Sequence, residues 1–137
     1  MRKIETNALL SALWLFVLLN IIFRDIHQFA TKSELEMLLT GTYNGVVITE
    51  ELMLLGGILI SIPISMVLFS LLLTRRIGRP VTLFAALLTS TTMLSSAPSD
   101  MDDTLHLMIE LVAMAAILWT AWRWPAEEPA TTSLPRA

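Results

Sequence analysis

The stretch LMLLGGILISIPISMVLFSLLL, Leu52 to Leu73, contains no charged residue. A helix needs about 20 apolar residues to cross the roughly 30 Å hydrocarbon core of a bilayer, and this stretch is long enough. Three further apolar stretches are Ala8–Phe23, Pro80–Pro98 and Thr104–Trp122. An open sheet edge would leave backbone groups unpaired in lipid, so all four stretches are predicted to be helices. The sequence therefore predicts an all-α bundle of four transmembrane helices, at about residues 8–28, 50–74, 80–98 and 103–123.

The amino-acid composition supports a membrane protein. Of the 137 residues, 55% are hydrophobic and only 15% are charged, whereas soluble domains have about 25% charged residues. The net charge of −3 provides no basic surface for nucleic acid. The absence of cysteine excludes disulfides and thiolate chemistry. Neither a glycine-rich phosphate loop nor a Ser/His/Asp set in a recognisable order is present, so no cofactor is predicted.

The basic residues predict the orientation of the helices. Lysine and arginine concentrate in the cytoplasmic loops of membrane proteins. If the segments before helix 1, between helices 2 and 3, and after helix 4 are cytoplasmic, seven of the nine basic residues lie on that side. Only Arg24 and Lys32 then lie outside. We therefore expect an N-in/C-in arrangement with both termini in the cytoplasm.

Two segments outside the predicted spans differ from the bundle. Residues 125–137 are rich in proline and small polar residues and are predicted to be a disordered cytoplasmic tail, outside a transmembrane domain of residues 1–124. Between helices 1 and 2, TKSELEMLL offers Thr31 or Ser33 as the N-cap of a short helix on the outer membrane surface. The pair Asn44-Gly45 then predicts a turn.

Helix 2 carries two further features. Gly57, Ser61 and Ser65 recur every four residues and form a ridge of small side chains that suits close packing against another helix. Pro63 cannot donate a backbone hydrogen bond and is predicted to kink the helix, which can widen a cavity.

Ionisable residues collect at one end of the predicted bundle. Helix 1 runs outward, and helices 2 and 4 run inward, so three helices bring polar groups to the outer third of the bilayer. On helix 4, the i, i+3, i+7 spacing places Asp103, His106 and Glu110 on one face. A charged carboxylate facing lipid is costly, so we expect a polar pocket that opens to the outside. The candidate ligand-binding or proton-carrying residues are Glu110, His106, Glu50, Arg24, Asn20, Asp25 and His27.

These residues also have structural explanations. Glu50 stands at a helix start, where an acid complements the helix dipole. Asp102 and Asp103 are predicted to cap the N-terminus of helix 4. Glu110 needs a partner, for which Arg24, His106 and His27 are the candidates, and a purely structural ion pair would satisfy it.

The sequence does not predict a metal centre. His106 and Glu110, one helical turn apart, could supply nitrogen and oxygen ligands to zinc or iron. The Glu-x-x-His pairs typical of metal sites in helix bundles are absent from the sequence.

Three stretches carry a family resemblance: LSALWLFVLLNIIFRDI, IPISMVLFSLLL and IELVAMAAILWTAWRWP. They resemble an uncharacterised family of small bacterial four-helix membrane proteins, known as a domain of unknown function, which is similar in outline to the DoxX-like group. The likeness runs from about Leu10 to Pro125. It implies a protein of the bacterial inner membrane and assigns no catalytic residue.

Three functions remain open from the sequence. The preferred one is a membrane protein, in the form of a homodimer, that binds or transports a small molecule, a cation or protons through the outer pocket. The second is a structural or accessory subunit of a membrane complex. The third is an intramembrane enzyme with Glu110 or His106 as general acid or base, which we rank lower because no nucleophile or cofactor motif supports it.

Overall fold

The computed structural model describes residues 4–43, 45–95, 98 and 100–125. This part of the chain contains five helices and one small hairpin, and four of the helices are long and apolar enough to cross a membrane. The predicted all-α, four-span architecture is therefore confirmed, and it indicates a multi-pass membrane protein. The elements in chain order are α1 (Thr6–Phe29), α2 (Lys32–Leu39), β1 (Thr42–Tyr43), β2 (Val46–Val47), α3 (Glu50–Leu72), α4 (Arg75–Ser95) and α5 (Met101–Trp122).

The third span begins earlier than the sequence suggested. We expected it to start at Pro80, but α4 begins at Arg75 and includes Pro80 near its start. Pro80 lies in the second turn of α4 and has no amide hydrogen to donate to the Arg76 carbonyl four residues earlier, so the helix continues through it with one backbone hydrogen bond fewer. The carbonyl of Thr74 accepts from the amide of Gly78 at 2.7 Å and closes the first turn.

Side chains cap two of the spans. The Thr49 hydroxyl accepts from the amide of Leu52 at 3.2 Å, at the start of α3. The Asp100 carboxylate accepts from the amide of Asp103 at 2.7 Å, at the start of α5. Each cap satisfies one of the amides that a helix N-terminus leaves without an intrahelical partner.

The four long helices pack as a ring in which α1 contacts α3 and α5, and α4 also contacts α3 and α5. The contact between α1 and α3 includes a hydrogen bond, in which the Ser11 hydroxyl donates to the carbonyl of Val67 at 2.7 Å. The centre of the ring is filled by large apolar side chains that are almost fully buried. These include Leu10, Trp14, Val17, Met66, Met114 and Ile117.

The two halves of α3 differ in packing. All of its buried residues, Pro63, Met66 and Ser70, lie from the middle of the helix onward. Before Pro63, every residue of α3 is exposed or only half-buried. The ridge of small residues lies partly in this half, and an added Cβ at Gly57 would meet no atom within 4 Å. Within the ridge, Gly57 and Ser61 are exposed and Ser65 is half-buried.

The connection between α1 and α3 covers one end of the bundle, which we call the hairpin end. Here α2 follows Thr31, as predicted, although the Thr31 hydroxyl donates to the carbonyl of Gln28 at 2.8 Å and does not cap α2. The strands pair Thr42 with Val47 and Tyr43 with Val46 in an antiparallel register. Gly45 has a φ of +79°, a conformation that glycine adopts easily, in the predicted turn.

Two predictions fall outside the described residues. Asn44, the first residue of the predicted turn, is not described. Residues 126–137, which make up nearly all of the predicted disordered tail, are not described either.

Candidate functional site

The centre of the candidate site is an arginine between two carboxylates. Arg24, near the end of α1, is 8% exposed, and Asp103 and Glu110 of α5 are 2% and 0% exposed. Its Nε donates to Asp103 Oδ1, and its Nη1 lies 3.4 Å from Glu110 Oε2. The two acids are seven residues apart, so both point to the same side of α5. One guanidinium thus joins α1 to two turns of α5.

The structure corrects the role expected for Asp103. We predicted that Asp103 caps α5, but Asp100 is the N-cap residue. The Asp103 side chain turns into the bundle and pairs with Arg24 instead. The helix starts slightly earlier than expected, and this places Asp103 in the first turn, on the same side as Glu110.

A pocket of about 500 Å³ lies beside this ion-pair group at the hairpin end. All four long helices line it, and α2 and β1 contribute one residue each. Such a volume is within the range of small-molecule sites. The lining residues are Ile21, Arg24, Asp25, Gln28, Glu34, Tyr43, Gly56, Leu59, Ile60, Pro63, Thr89, Thr92, Met93 and Glu110.

Two buried polar atoms, each on a residue that lines the pocket, have no hydrogen-bond partner among the described residues. One is Oε1 of Glu110, whose other oxygen is the one near Arg24. The other is the hydroxyl of Thr89, a residue of α4 that is 5% exposed. A buried polar atom without a partner costs about 1–3 kcal/mol, so a native structure normally supplies a partner such as a ligand or water.

The charge of the pocket is unbalanced. Among the described lining residues, Arg24 is the single cationic side chain, and three carboxylates share the pocket with it: Asp25, Glu34 and Glu110. Arg24 also pairs with Asp103, which does not line the pocket. Burial and the nearby carboxylate of Glu34 raise the pKa of Tyr43, so its hydroxyl stays neutral at physiological pH. The pocket therefore has an excess of negative charge.

A second polar cluster lies on the contact between α1 and α5, and none of its members lines the pocket. His106 Nδ1 lies 3.2 Å from Asn20 Oδ1, and Asn20 Nδ2 donates to the carbonyl of Phe16 at 2.9 Å. Since the amide oxygen can only accept, His106 donates from Nδ1. Asp102 Oδ2 lies 3.6 Å from His27 Nδ1 and 3.9 Å from His106 Nε2. This cluster joins the two helices side by side.

The seven predicted site residues thus separate into three locations. Arg24, Asp25 and Glu110 line the pocket. Asn20, His27 and His106 form the second cluster with Asp102. Glu50 is exposed at the start of α3 and belongs to neither group. Glu50 lies in the first half of α3, where no residue is buried against the other helices.

Several pocket residues were missed in the sequence. Thr89 stands in a run of serine and threonine that we treated only as a weak span. Glu34 and Tyr43 belong to the connection, and their contact with the pocket depends on how that connection folds over the bundle.

The polar side chains that line the pocket can form hydrogen bonds and charge interactions. Among the described residues, no three His, Cys, Asp or Glu side chains gather closely enough to hold a metal ion. The wall combines carboxylate and hydroxyl oxygens with the apolar side chains of Ile21, Leu59, Ile60 and Met93. Such a lining can hold a molecule that is partly polar and partly apolar.

Comparison of the chain with known proteins identifies a family and no function. Neither the curated proteins nor the solved structures gave a match. The model of one family, described as "Family of unknown function (DUF6326)", matches residues 2–131. Because this match covers nearly the whole chain, the protein belongs to the DUF6326 family of unknown function.

Proposed function

We propose that this membrane protein binds a small molecule in the pocket at the hairpin end. The observation that carries the proposal is that two residues lining a pocket of about 500 Å³, Glu110 and Thr89, each have a buried side-chain oxygen without a hydrogen-bond partner among the described residues. A protein that used Arg24 only as a structural ion pair would not need this space. A bound molecule with a matching polar group satisfies both atoms.

The other half of the bundle favours binding over a complete transport path. Below the pocket, Trp14, Met114 and Ile117 are at most 1% exposed and fill the centre of the ring. Passage through this packed core needs a rearrangement of the helices or a second copy of the chain. The expected homodimer would supply this second copy of the chain. Transport is therefore an extension of the proposal that depends on dimer formation.

The proposed orientation places the pocket on the outer side of a bacterial inner membrane, with both termini in the cytoplasm. At the opposite end of the bundle, the Arg75 Nε donates to the carbonyl of Trp124 at 2.8 Å. Arg123 stacks on Trp119 at 4.1 Å, and both Trp119 and Trp122 are exposed. Exposed tryptophans beside arginines are typical of a cytoplasmic membrane interface. The similarity in outline to the DoxX-like group does not bear on this orientation.

An accessory subunit is the second candidate, and the ridge of small residues on α3 favours it. Gly57 and Ser61 are exposed, and small residues let a partner helix approach closely. If this function is correct, a membrane protein that co-purifies with the wild type will be lost when Gly57 becomes phenylalanine.

The binding proposal is tested with a blocked pocket. Gly56 lines the pocket, and an added Cβ at either Gly56 or Gly57 meets no atom within 4 Å. Gly56→Phe therefore fills the pocket, and Gly57→Phe is its matched control on the same helix outside the lining. The probes are phenylbutylamine, phenylbutanol and phenylbutanoate, which share one body and differ in charge.

Binding is measured by titration calorimetry with the protein in lipid nanodiscs, after subtraction of discs without protein. We expect the wild type and Gly57→Phe to bind at least one probe, and Gly56→Phe to lose that binding. If no probe shows binding that depends on Gly56, the proposed function is wrong.

A further inference from the structure

We infer that the pocket at the hairpin end takes an organic cation, a protonated amine that carries an apolar body. The inference rests on the proposed function and names the class of its ligand. It follows from which hydrogen-bonding groups the wall presents, from its charge, and from the distribution of its apolar side chains.

The wall presents acceptors that need donors. Glu110 Oε1 can only accept when ionised, and it is buried without a partner among the described residues. Pro63 has no amide hydrogen, so the Leu59 carbonyl four residues earlier lacks its usual helical donor. Leu59 and Pro63 both line the pocket. A protonated amine supplies up to three N–H donors from a single nitrogen.

Arg24, the cationic donor among the described lining residues, already has hydrogen-bond partners. Arg24 directs Nε to Asp103 and Nη1 to Glu110 and is 8% exposed. An anionic ligand would have to compete with these buried carboxylates for the guanidinium. It would also meet Asp25 and Glu34 in the lining. Like charges at close range in a weakly screened site repel strongly, so an anion is disfavoured.

A metal cation fits this site less well than an amine. Arg24 already neutralises part of the negative charge beside Glu110. No three metal-binding side chains come together in the described ranges. An amine needs only one carboxylate and one hydroxyl, and Glu110 with Thr89 provides that pair on facing helices.

The apolar part of the lining defines the rest of the ligand. Ile21, Leu59, Ile60 and Met93 come from three different helices. They provide a surface for an aliphatic or aromatic body of small-molecule size. Leu59 and Ile60 are half-buried and lie in the first half of α3, which has no buried residue. An amphiphilic amine therefore matches both parts of the pocket.

The test compares the three probes already described on the wild type and on variants of the polar wall. We expect phenylbutylamine to bind at least tenfold more tightly than phenylbutanol and phenylbutanoate. Glu110→Gln keeps the size of the side chain and removes its charge, so we expect it to weaken amine binding by about tenfold or more. It should leave the affinity of phenylbutanol within about twofold.

A second variant keeps the charge of the site. Thr89→Val removes the hydroxyl at nearly constant volume, and we expect amine binding to weaken by about threefold to tenfold. Thr91→Val is the matched control, because the Thr91 hydroxyl donates to Leu87 of its own helix at 2.9 Å and lies outside the pocket lining. Circular dichroism and tryptophan fluorescence verify that each variant is folded.

The outcomes separate this inference from the proposed function. If phenylbutanol or phenylbutanoate binds most tightly, and Gly56→Phe abolishes that binding, the protein binds small molecules but the cation assignment is wrong. If the amine binds best but neither Glu110→Gln nor Thr89→Val weakens it, the assignment is also wrong. If no binding depends on Gly56, both proposals fail together.

Discussion

Arg24 and Glu110 face each other across the contact between α1 and α5, with Nη1 of the arginine 3.4 Å from Oε2 of the glutamate. Glu110 is fully buried, and Arg24 is nearly so. The same guanidinium pairs with Asp103, so three charges share one apolar environment. This arrangement fixes the relative position of two helices and leaves the other carboxylate oxygen of Glu110 without a hydrogen-bond partner among the described residues.

Removal of the shared cation should strongly destabilise the bundle. Arg24→Met leaves Asp103 and Glu110 buried without their counter-charge, and breaking a buried pair in this way costs about 3–5 kcal/mol. The free energy of unfolding in mixed micelles measures the effect. Arg76→Met is the control, because Arg76 is exposed, and we expect it to change stability by less than about 0.5 kcal/mol. Equal effects of the two substitutions would contradict the structural importance of Arg24.

The hydrogen bond between α1 and α3 should make a measurable contribution. Ser11→Ala removes the bond to the Val67 carbonyl, and bonds between membrane helices average about 0.6 kcal/mol, with a maximum of about 1.7. Ser61→Ala is the matched control, because the Ser61 hydroxyl donates to Gly57 of its own helix at 2.7 Å and is exposed. We expect a loss of unfolding free energy for Ser11→Ala only. A larger loss for Ser61→Ala would show that the two contacts are assigned wrongly.

Gly78 should tolerate no larger side chain. An added Cβ at Gly78 comes within 3.0 Å of the Trp124 ring and 3.3 Å of the Leu73 Cβ, and Trp124 is 6% exposed. Gly78→Leu therefore forces a rearrangement that costs about 1–3 kcal/mol. Gly57→Leu places the same side chain in open space and should stabilise the helix by up to about 1 kcal/mol. Thermal unfolding of the two variants in one detergent should move in opposite directions, and a shift in the same direction would refute the close approach.

The proposed orientation is testable because the chain contains no cysteine. Ser33→Cys adds a thiol to exposed α2, and Thr74→Cys adds one to the exposed connection between α3 and α4. We expect a membrane-impermeant maleimide to label Ser33→Cys in spheroplasts. It should label Thr74→Cys only after permeabilisation. The reverse pattern would place the pocket on the cytoplasmic side.

The helices themselves were predictable because their signal is local. Leu52–Leu73 is long enough to cross a bilayer and has no charge, so the second span follows from run length alone. The i, i+4, i+7 spacing of Asn20, Arg24 and His27 predicts a shared face, and in the structure each of them contacts α5. The misplaced start of α4 has a local cause too, since Pro80 was taken as a boundary, whereas α4 begins at Arg75 and continues through this proline.

The partners within the site were decided by the packing of the helices. Sequence alone placed Arg24, Glu50, His106 and Glu110 at one end of the bundle, because depth follows from the position along each helix. The tertiary structure joined Arg24 to Asp103 and Glu110, separated His106 into a second cluster, and left Glu50 exposed. These outcomes depend on the rotation of each helix about its axis and on the open first half of α3. Both are set by contacts between residues far apart in the chain, which no local pattern records.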